Sequence, residues 1–192
     1  MIMENLFFDK KQLKFCGENV IIGKTVRIRH PERCIIGDGT IIDDFAYIST
    51  ALETGKNCHI ASHVSISGGA GKLIIGDYST ISNHCSIYCA SSDYTSISLD
   101  LPSVPSELQF GGIVNDVTIG DFVTIGTHSC ILPGVIIPDE FACGAFSLLT
   151  IQEYQKSGLY AGIPAHFLKI RDRNKLIQSN VYAKMKECNE DK

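Results

Sequence analysis

Residues 36–66 read IGDGTIIDDFAYISTALETGKNCHIASHVSI, and an isoleucine or a threonine occupies every sixth position. This period matches neither the turn of a helix nor the simple alternation of a strand. Each hexad is therefore expected to form one short extended segment and a bend, so that three hexads make one turn of a triangular coil. The positions that carry the period are Ile36, Ile42, Ile48, Thr54, Ile60 and Ile66.

The period continues along most of the chain, with a slip after Ile66, a break after Ile87 and a restart at Ile113. Small residues follow many of the aliphatic ones, which lets the chain turn tightly. Repeats of this kind predict an all-β solenoid, a parallel β-helix in which each rung buries the aliphatic face of its neighbour. An ordinary β-sandwich with accidental isoleucine spacing is the alternative. The later periodic positions are Ile75, Ile81, Ile87, Ile113, Ile119, Ile125, Ile131, Ile137, Cys143 and Leu149.

The composition narrows the class of protein. At 192 residues and 44% hydrophobic content, the chain is long enough to bury one core. Its formal charge of -4 argues against nucleic acid as a partner, because proteins that bind it are usually basic. The sequence contains no run of about 18 apolar residues, the length needed to span a membrane. Near the start, the apolar cluster comes before the lysines, whereas in a secretory signal the positive charges come first. We expect a cytoplasmic protein.

The cysteines are interpreted as packing residues. Of the eight in the chain, Cys58, Cys85 and Cys143 fall on inward positions of the repeat, where a small apolar side chain fits. No Cys-x-x-Cys pair or Cys/His cluster has the spacing of a zinc site. The sequence therefore predicts reduced thiols and no metal.

The repeat also sets the boundaries of the predicted units. Residues 1–165 are expected to form the β-helix domain, whose N-terminal residues cap the first rung. Residues 88–112 hold no hexads, and their prolines, tyrosines and leucines favour an ordered protruding loop, called the arm below. Residues 166–192 predict an amphipathic C-terminal helix that covers the last rung.

Assigning the hexads to three faces predicts which side chains stack, about 4.8 Å apart, on successive rungs. With the count restarted at Ile113, the third face holds Ile48, Ile66, Ile87, Ile125 and Cys143. A ridge of mostly small residues follows that face, formed by Thr50, Gly68, Cys89, Thr127 and Ala145.

The second face predicts a column of larger side chains, formed by Phe45, His63, His84, Phe122 and Glu140. His63 and His84 are therefore expected to be neighbours at the corner that precedes the arm. Both are candidates for the functional site, with His84 the better placed. The remaining histidines are interpreted as structural: His30, His59, His128 and His166.

Several motifs resemble those of the hexapeptide-repeat acyltransferases. The resemblance covers residues 18–172, and within this group it is greatest to the sugar acetyltransferases of bacterial surface-polysaccharide clusters that act on nucleotide-linked aminodeoxysugars, such as dTDP-4-amino-4,6-dideoxyglucose. It is carried by the hexads and by IGDFVTIGTH (119–128), ILPGV (131–135), GAFS (144–147) and AGIPA (161–165), followed by Lys169 and Arg171.

This resemblance implies a left-handed coil and a homotrimer with active sites between subunits. It also implies acetyl-CoA as the cosubstrate, lying along the C-terminal rungs. The pantetheine would pass Gly126, Thr127, Gly144 and Ala145. The adenine would lie near Ala161, Gly162 and Pro164, and the phosphates near Lys169 and Arg171.

The arm decides which acceptor is expected. O-acetyltransferases of this group place a catalytic histidine at the base of the arm, because a hydroxyl must lose its proton as it attacks. Here Ser92 and Asp93 stand in that place, which favours an amine acceptor. Asp93 would orient or deprotonate the amine beside Ser92, and His84 would assist. Candidate substrate contacts are Asn83, Tyr94 and His63.

The sequence thus predicts an acetyl-CoA-dependent N-acetyltransferase of a nucleotide-linked aminodeoxysugar, serving O-antigen, lipopolysaccharide or capsule biosynthesis. One alternative is an O-acetyltransferase of a sugar hydroxyl that uses His84 as its base. Another is a solenoid without enzymatic activity, which would have no affinity for CoA.

Overall fold

The computed structural model describes residues 5–172 and 174, and these residues form a parallel β-helix. Strands numbered in chain order stack into three sheets, one for each face of the prism. Sheet A contains β1 (Phe15–Cys16), β4 (Cys34–Ile36), β7 (Ala51–Thr54), β10 (Lys72–Ile75), β15 (Val117–Ile119) and β18 (Ile136–Ile137). Sheet B contains β2 (Ile21–Ile22), β5 (Ile41–Ile42), β8 (His59–Ile60), β11 (Thr80–Ile81), β16 (Thr124–Ile125), β19 (Ala142–Cys143), β21 (Gly158–Ala161) and β22 (His166–Ile170).

Sheet C forms the third face, and its strands are parallel throughout. It contains β3 (Arg27–Ile28), β6 (Tyr47–Ile48), β9 (Ser65–Ser67), β12 (Ser86–Tyr88), β17 (Cys130–Ile131) and β20 (Leu148–Leu149). Short 3-10 helices lie at Lys10–Gln12, Pro31–Arg33 and Ser106–Leu108. The predicted left-handed parallel β-helix is confirmed as the fold.

The periodic residues form the core, as the hexads predicted. Ile36, Ile42, Ile48, Ile60 and Ile66 are each fully buried. Burial of one such side chain stabilises the fold by about 1.5–3 kcal/mol, and stacked rungs repeat this contribution along the coil. Buried hydroxyls at the corners bond to backbone, as in the bond from the Ser79 hydroxyl to the Gly120 carbonyl at 2.8 Å.

The arm leaves the coil after β12 and returns to it at β15, so it extends beyond its predicted end at residue 112 as far as residue 116. Its base is an antiparallel pair, β13 (Ala90–Ser92) with β14 (Gly112–Val114), and its outer part is joined by a bridge between Leu99 and Phe110. Ile113 therefore belongs to the arm, where its side chain is exposed, and not to the solenoid.

The predicted C-terminal helix is wrong at its start. Residues His166–Ile170 form β22, which runs antiparallel to β21, and all five are exposed. The remainder of the predicted helix, 175–192, lies outside the described residues. Within the part of the chain that the structure describes, no helix is long and apolar enough to cross a bilayer.

Candidate active site

The corner between sheets B and C collects half of the nominated residues. It is made by the four-residue turns 43–46, 61–64, 82–85, 126–129 and 144–147, called the B–C corner below. The third residue of each turn adopts a left-handed backbone, with φ between 56° and 65°. This conformation turns the chain sharply and leaves the side chain exposed. These residues are Phe45, His63, His84, His128 and Phe146.

The five rings stack into one column, called the aromatic ladder. Ring centroids are 4.9 Å apart between Phe45 and His63, and 4.7 Å apart between His63 and His84. His128 follows His84 at 4.8 Å, and Phe146 follows His128 at the same distance. The predicted neighbours His63 and His84 are confirmed, and His128 proves to be a member of the same column.

The predicted continuation of that column through Phe122 and Glu140 is wrong. Phe122 stacks on Tyr78 at 5.2 Å in the corner between sheets A and B. Glu140 accepts a hydrogen bond from the Ser157 hydroxyl at 2.5 Å. The physical reason is that Ile113 fits the hexad count although it lies in the arm, which moves every later hexad by one face.

The same displacement corrects the small-residue ridge. Ile125 and Cys143 lie in sheet B, not above Ile87 in sheet C. Thr127 therefore lies beside Asn83 at the B–C corner, and not above Cys89. Its hydroxyl donates to the Asn83 carbonyl at 2.7 Å.

The residues predicted to accompany pantetheine nevertheless lie on adjacent rungs. Gly126 donates its N–H to Cys143, and Gly144 donates to Tyr160 on the next rung. A Cβ at Gly126 would lie only 2.5 Å from the Gly144 carbonyl carbon, so this position tolerates no side chain. The rung after that ends at Gly162, whose carbonyl accepts the N–H of Leu148. The small residues form a smooth strip along the B–C corner beside the ladder.

Asn83 and Thr127 lie beside the ladder, and hydrogen bonds hold both of them. The Asn83 amide donates to the Ser62 hydroxyl at 2.8 Å. The Thr127 hydroxyl lies 2.9 Å from Nδ1 of His128. Polar groups on three successive rungs are therefore held in fixed positions.

Asp93 lies at the turn of the arm and is tied down locally. Its carboxylate accepts hydrogen bonds from the Ser96 hydroxyl and from both the hydroxyl and the N–H of Thr95, the last two at 2.6 and 2.8 Å. These bonds lower the pKa of Asp93 to about 2. Ser92 precedes it in β13, and Tyr94 is 90% exposed.

His84 and Asp93 lie beyond opposite ends of strand β12. His84 precedes β12, whereas the arm begins after that strand. Among the described residues no hydrogen bond, ion pair or ring contact joins them. The structure therefore does not bring these two nominated groups together within one chain.

A cleft of about 730 Å³ lies between the arm and sheet C. The solenoid wall includes Arg29, Tyr47 and Ser67, and the arm contributes Asp100 and Phe110. None of the side chains nominated from the sequence lines it. The outward position of Tyr47 follows from the hexad phase, but its position facing the arm depends on how the arm folds back.

The C-terminal cations are placed on the hairpin that ends the coil. Lys169 is exposed in β22. Arg171 follows the strand, and its Nη1 donates to the carbonyls of Glu140 at 2.6 Å, Phe141 at 3.2 Å and Phe122 at 3.4 Å. Arg171 therefore clamps the hairpin to the corner between sheets A and B.

Comparison with known proteins gives the family. No family model matches the chain. A dTDP-4-amino-4,6-dideoxy-D-glucose acyltransferase from Escherichia coli is 33% identical over 185 residues, 92% of this chain and 94% of the relative. The chain belongs to the hexapeptide-repeat acyltransferases. This acyltransferase is thus related to the E. coli acyltransferase along most of its length.

Solved structures agree with this assignment. AntD, an N-acyltransferase from Bacillus cereus crystallised with dTDP and 3-hydroxybutyryl-CoA, superposes with a TM-score of 0.83 and 28% identity, covering 95% of this chain and 99% of AntD. A serine-to-cysteine variant of AntD in complex with dTDP-4-amino-4,6-dideoxyglucose and coenzyme A gives 0.82 and 28%, covering 94% and 98%.

Proposed function

We propose that this acyltransferase moves an acyl group, with acetyl as the expected one, from CoA to the amino group of a nucleotide-linked aminodeoxysugar such as dTDP-4-amino-4,6-dideoxyglucose. The similarity to the E. coli acyltransferase over 92% of the chain carries this proposal. The AntD complexes support both substrates, because they contain a dTDP-aminosugar and coenzyme A on the same fold.

The strip of small residues is the proposed path of CoA. A pantetheine arm needs an uninterrupted surface with backbone groups within reach, and Gly126, Thr127, Gly144 and Ala145 supply one along the B–C corner. Gly162 and Pro164 lie at its end, where the adenine is proposed. Lys169 is the better candidate for the phosphates, because its exposed ammonium is a mobile point charge. Arg171 is a second candidate, with part of its guanidinium already bonded to carbonyls.

The cleft beside the arm is the proposed site of the nucleotide sugar. Arg29 offers a guanidinium for a diphosphate, and the rings of Tyr47 and Phe110 are suited to pack against a base or a sugar. Tyr94 and His63 are further candidate contacts at the arm and the ladder.

Asp93 is proposed to orient the substrate's amino group by charge. With its pKa at about 2 the carboxylate is ionised at neutral pH and is a weak base, so attraction of an ammonium suits it better than proton removal. Ser92 and Asn83 would complete the contacts to the sugar, and His84 would assist from the ladder.

A homotrimer would bring these groups together. Since His84 and Asp93 lie beyond opposite ends of β12, an arm that reaches a neighbouring subunit would join one subunit's carboxylate to another's ladder. We further propose that the enzyme acts in the cytoplasm, in the assembly of O-antigen, lipopolysaccharide or capsule sugars.

A thiol-release assay tests the proposed function. Acetyl-CoA and 3-hydroxybutyryl-CoA are each offered with dTDP-4-amino-4,6-dideoxyglucose, with UDP-linked aminosugars and with the corresponding 4-hydroxy sugars. We expect release with the amino sugars alone and highest kcat/KM for a dTDP-linked one. Release with a hydroxyl acceptor that is abolished by His84→Ala would instead support O-acylation, and no CoA binding at all would indicate a solenoid without this activity.

A further inference from the structure

The Thr127 hydroxyl determines the tautomer of a histidine. A hydroxyl carries one proton, and the Asn83 carbonyl at 2.7 Å can only accept it. The second neighbour, Nδ1 of His128 at 2.9 Å, must then be the donor, because two lone pairs would repel at that distance. His128 is therefore protonated on Nδ1 when neutral, which leaves the lone pair on Nε2.

The ladder holds this imidazole in place. Its ring stacks on His84 with an interplanar angle of 26° and on Phe146 with one of 20°. Stacking fixes the plane of the ring, and the bond to Thr127 fixes its rotation. The side chain is exposed beside the small-residue strip. No hydrogen bond engages its Nε2 within residues 5–172 and 174.

Other candidate bases lack this arrangement. The Asp93 carboxylate already accepts three hydrogen bonds, from Ser96 and Thr95, and these bonds make it a weak base. The ring nitrogens of His63 and His84 have no hydrogen-bond partner in the described ranges. An oriented base needs a partner of the kind that Thr127 provides for His128.

The charged surroundings of His128 are sparse. Titratable side chains face it from the preceding corners, where His84 is stacked on it and His63 lies one rung further. Beyond them Asp44 is bonded to Thr25. The corner on the other side, 144–147, carries no titratable side chain.

We propose that Nε2 of His128 is the general base that takes the proton from the substrate's ammonium group, an inference that rests on the proposed function. The N–H bond breaks and its electron pair becomes the amine lone pair. This pair attacks the thioester carbonyl carbon and forms the C–N bond. The nitrogen of the tetrahedral adduct still carries two protons. As the adduct collapses, the C–S bond breaks and the leaving CoA thiolate takes one of these protons, giving the amide and the free thiol. The first proton stays on Nε2 of His128 and passes to solvent.

The first test needs no substrate. Nitrogen-15 NMR of imidazole-labelled protein reports which ring nitrogen of His128 carries the proton. We expect the Nδ1–H form in the unsubstituted enzyme and a shift towards Nε2–H in Thr127→Val, which keeps the branched shape without the hydroxyl. A predominant Nε2–H form in the unsubstituted enzyme would overturn the inference, whatever the substrate.

The second test is the pH dependence of the reaction. His128→Phe keeps the stack, since Phe45 and Phe146 occupy equivalent left-handed positions, but it removes both nitrogens. We expect kcat to fall by about 10²- to 10⁴-fold, with KM for acyl-CoA unchanged and the acidic limb of the kcat/KM profile lost. Thr127→Val should lower kcat less and displace that limb.

The matched control is His59→Gln, which changes a histidine that is bonded to Asp43 at 2.8 Å on sheet B and should leave kcat and its pH profile unchanged. If the unsubstituted enzyme turns over the aminosugar and His128→Phe does so with the same kcat and profile, the role of His128 is rejected while the proposed function stands. If the unsubstituted enzyme acylates no aminosugar, both the proposed function and the role of His128 as its general base are rejected.

Discussion

His84 and His128 stack with ring centroids 4.8 Å apart, although the whole arm separates them in the sequence. The stack exists because the arm returns the chain to sheet A, so the next B–C corner falls directly beside the previous one. Both residues adopt the same left-handed backbone. The type of ring at these positions should therefore affect the stability of the fold independently of any role in catalysis.

Replacing the central ring tests the ladder. His84→Ala removes two stacking contacts, each worth about 0.5–1.5 kcal/mol, and should lower the free energy of unfolding by about 1–3 kcal/mol. His84→Phe keeps both contacts at the same φ and should stay close to the unsubstituted protein. Thermal unfolding of the two variants measures the difference, and equal destabilisation would show that the stack contributes nothing.

Asp93→Asn should lower kcat on an aminosugar by about 10- to 100-fold, the effect of losing a charged hydrogen bond. Binding of CoA, measured by calorimetry, should be unchanged. Because hydrogen bonds lower the pKa of Asp93 to about 2, its charge is constant above about pH 4 and gives no limb to the pH profile near neutrality. Unaltered turnover of Asp93→Asn would reject this residue as a participant.

Arg29→Ala should raise KM for the nucleotide sugar by about tenfold, because a charged hydrogen bond to phosphate is lost. KM for acyl-CoA should not change. Arg27→Ala is the matched control, since Arg27 packs over the ring of Phe7 at 5.3 Å and does not line the cleft. Similar kinetics for both variants would place the nucleotide elsewhere.

Asp121→Asn should stabilise the protein at neutral pH. Burial raises the pKa of Asp121, and the carboxylates of Asp139 and Asp77 raise it further. A raised pKa means that the ionised form is disfavoured in the folded state. The penalty is absent below the unfolded pKa, grows as the pH rises from the unfolded to the folded pKa, and is complete above the folded pKa.

An asparagine Oδ1 can still accept the N–H of Asp77, which lies 2.8 Å from the carboxylate. We expect Tm to rise by about 1–3 °C at pH 7 for this partly exposed group and the two curves to converge near pH 3. A constant difference at all pH values would indicate a cause other than charge.

Lys169 and Arg171 should have different roles: Lys169 is expected to contact acyl-CoA, and Arg171 is expected to stabilise the C-terminal hairpin. Lys169→Ala should raise KM for acyl-CoA severalfold without changing Tm. Arg171→Ala removes three bonds to carbonyls and should cost about 1.5–3 kcal/mol of stability. Denaturant unfolding and acyl-CoA kinetics of both variants decide the assignment, and the reverse pattern would exchange the two roles.

Much of the fold follows from local repetition. A hexad specifies which residue points inwards and where the chain turns, because both depend on neighbours within a few residues. Ile36, Ile42 and Ile48 therefore indicate three faces on their own, and the loss of the period indicates the arm. The start of the predicted C-terminal helix is wrong because the apolar spacing after residue 165 does not reveal that His166–Ile170 pair with β21.

Most of the site is decided by tertiary structure. The period carries no information on which face receives the chain after the arm, since Ile113 fits the hexad count but pairs with Ser91 inside the arm. The solenoid instead resumes at β15, where Ile119 pairs with Ile75 in sheet A. This return point puts Thr127 beside Asn83 and His128 in the ladder. Sequence alone predicted a β-helix with an arm, because both depend on local repetition and its loss. The return point of the arm, set by pairing between strands far apart in the chain, decided which side chains meet at the B–C corner.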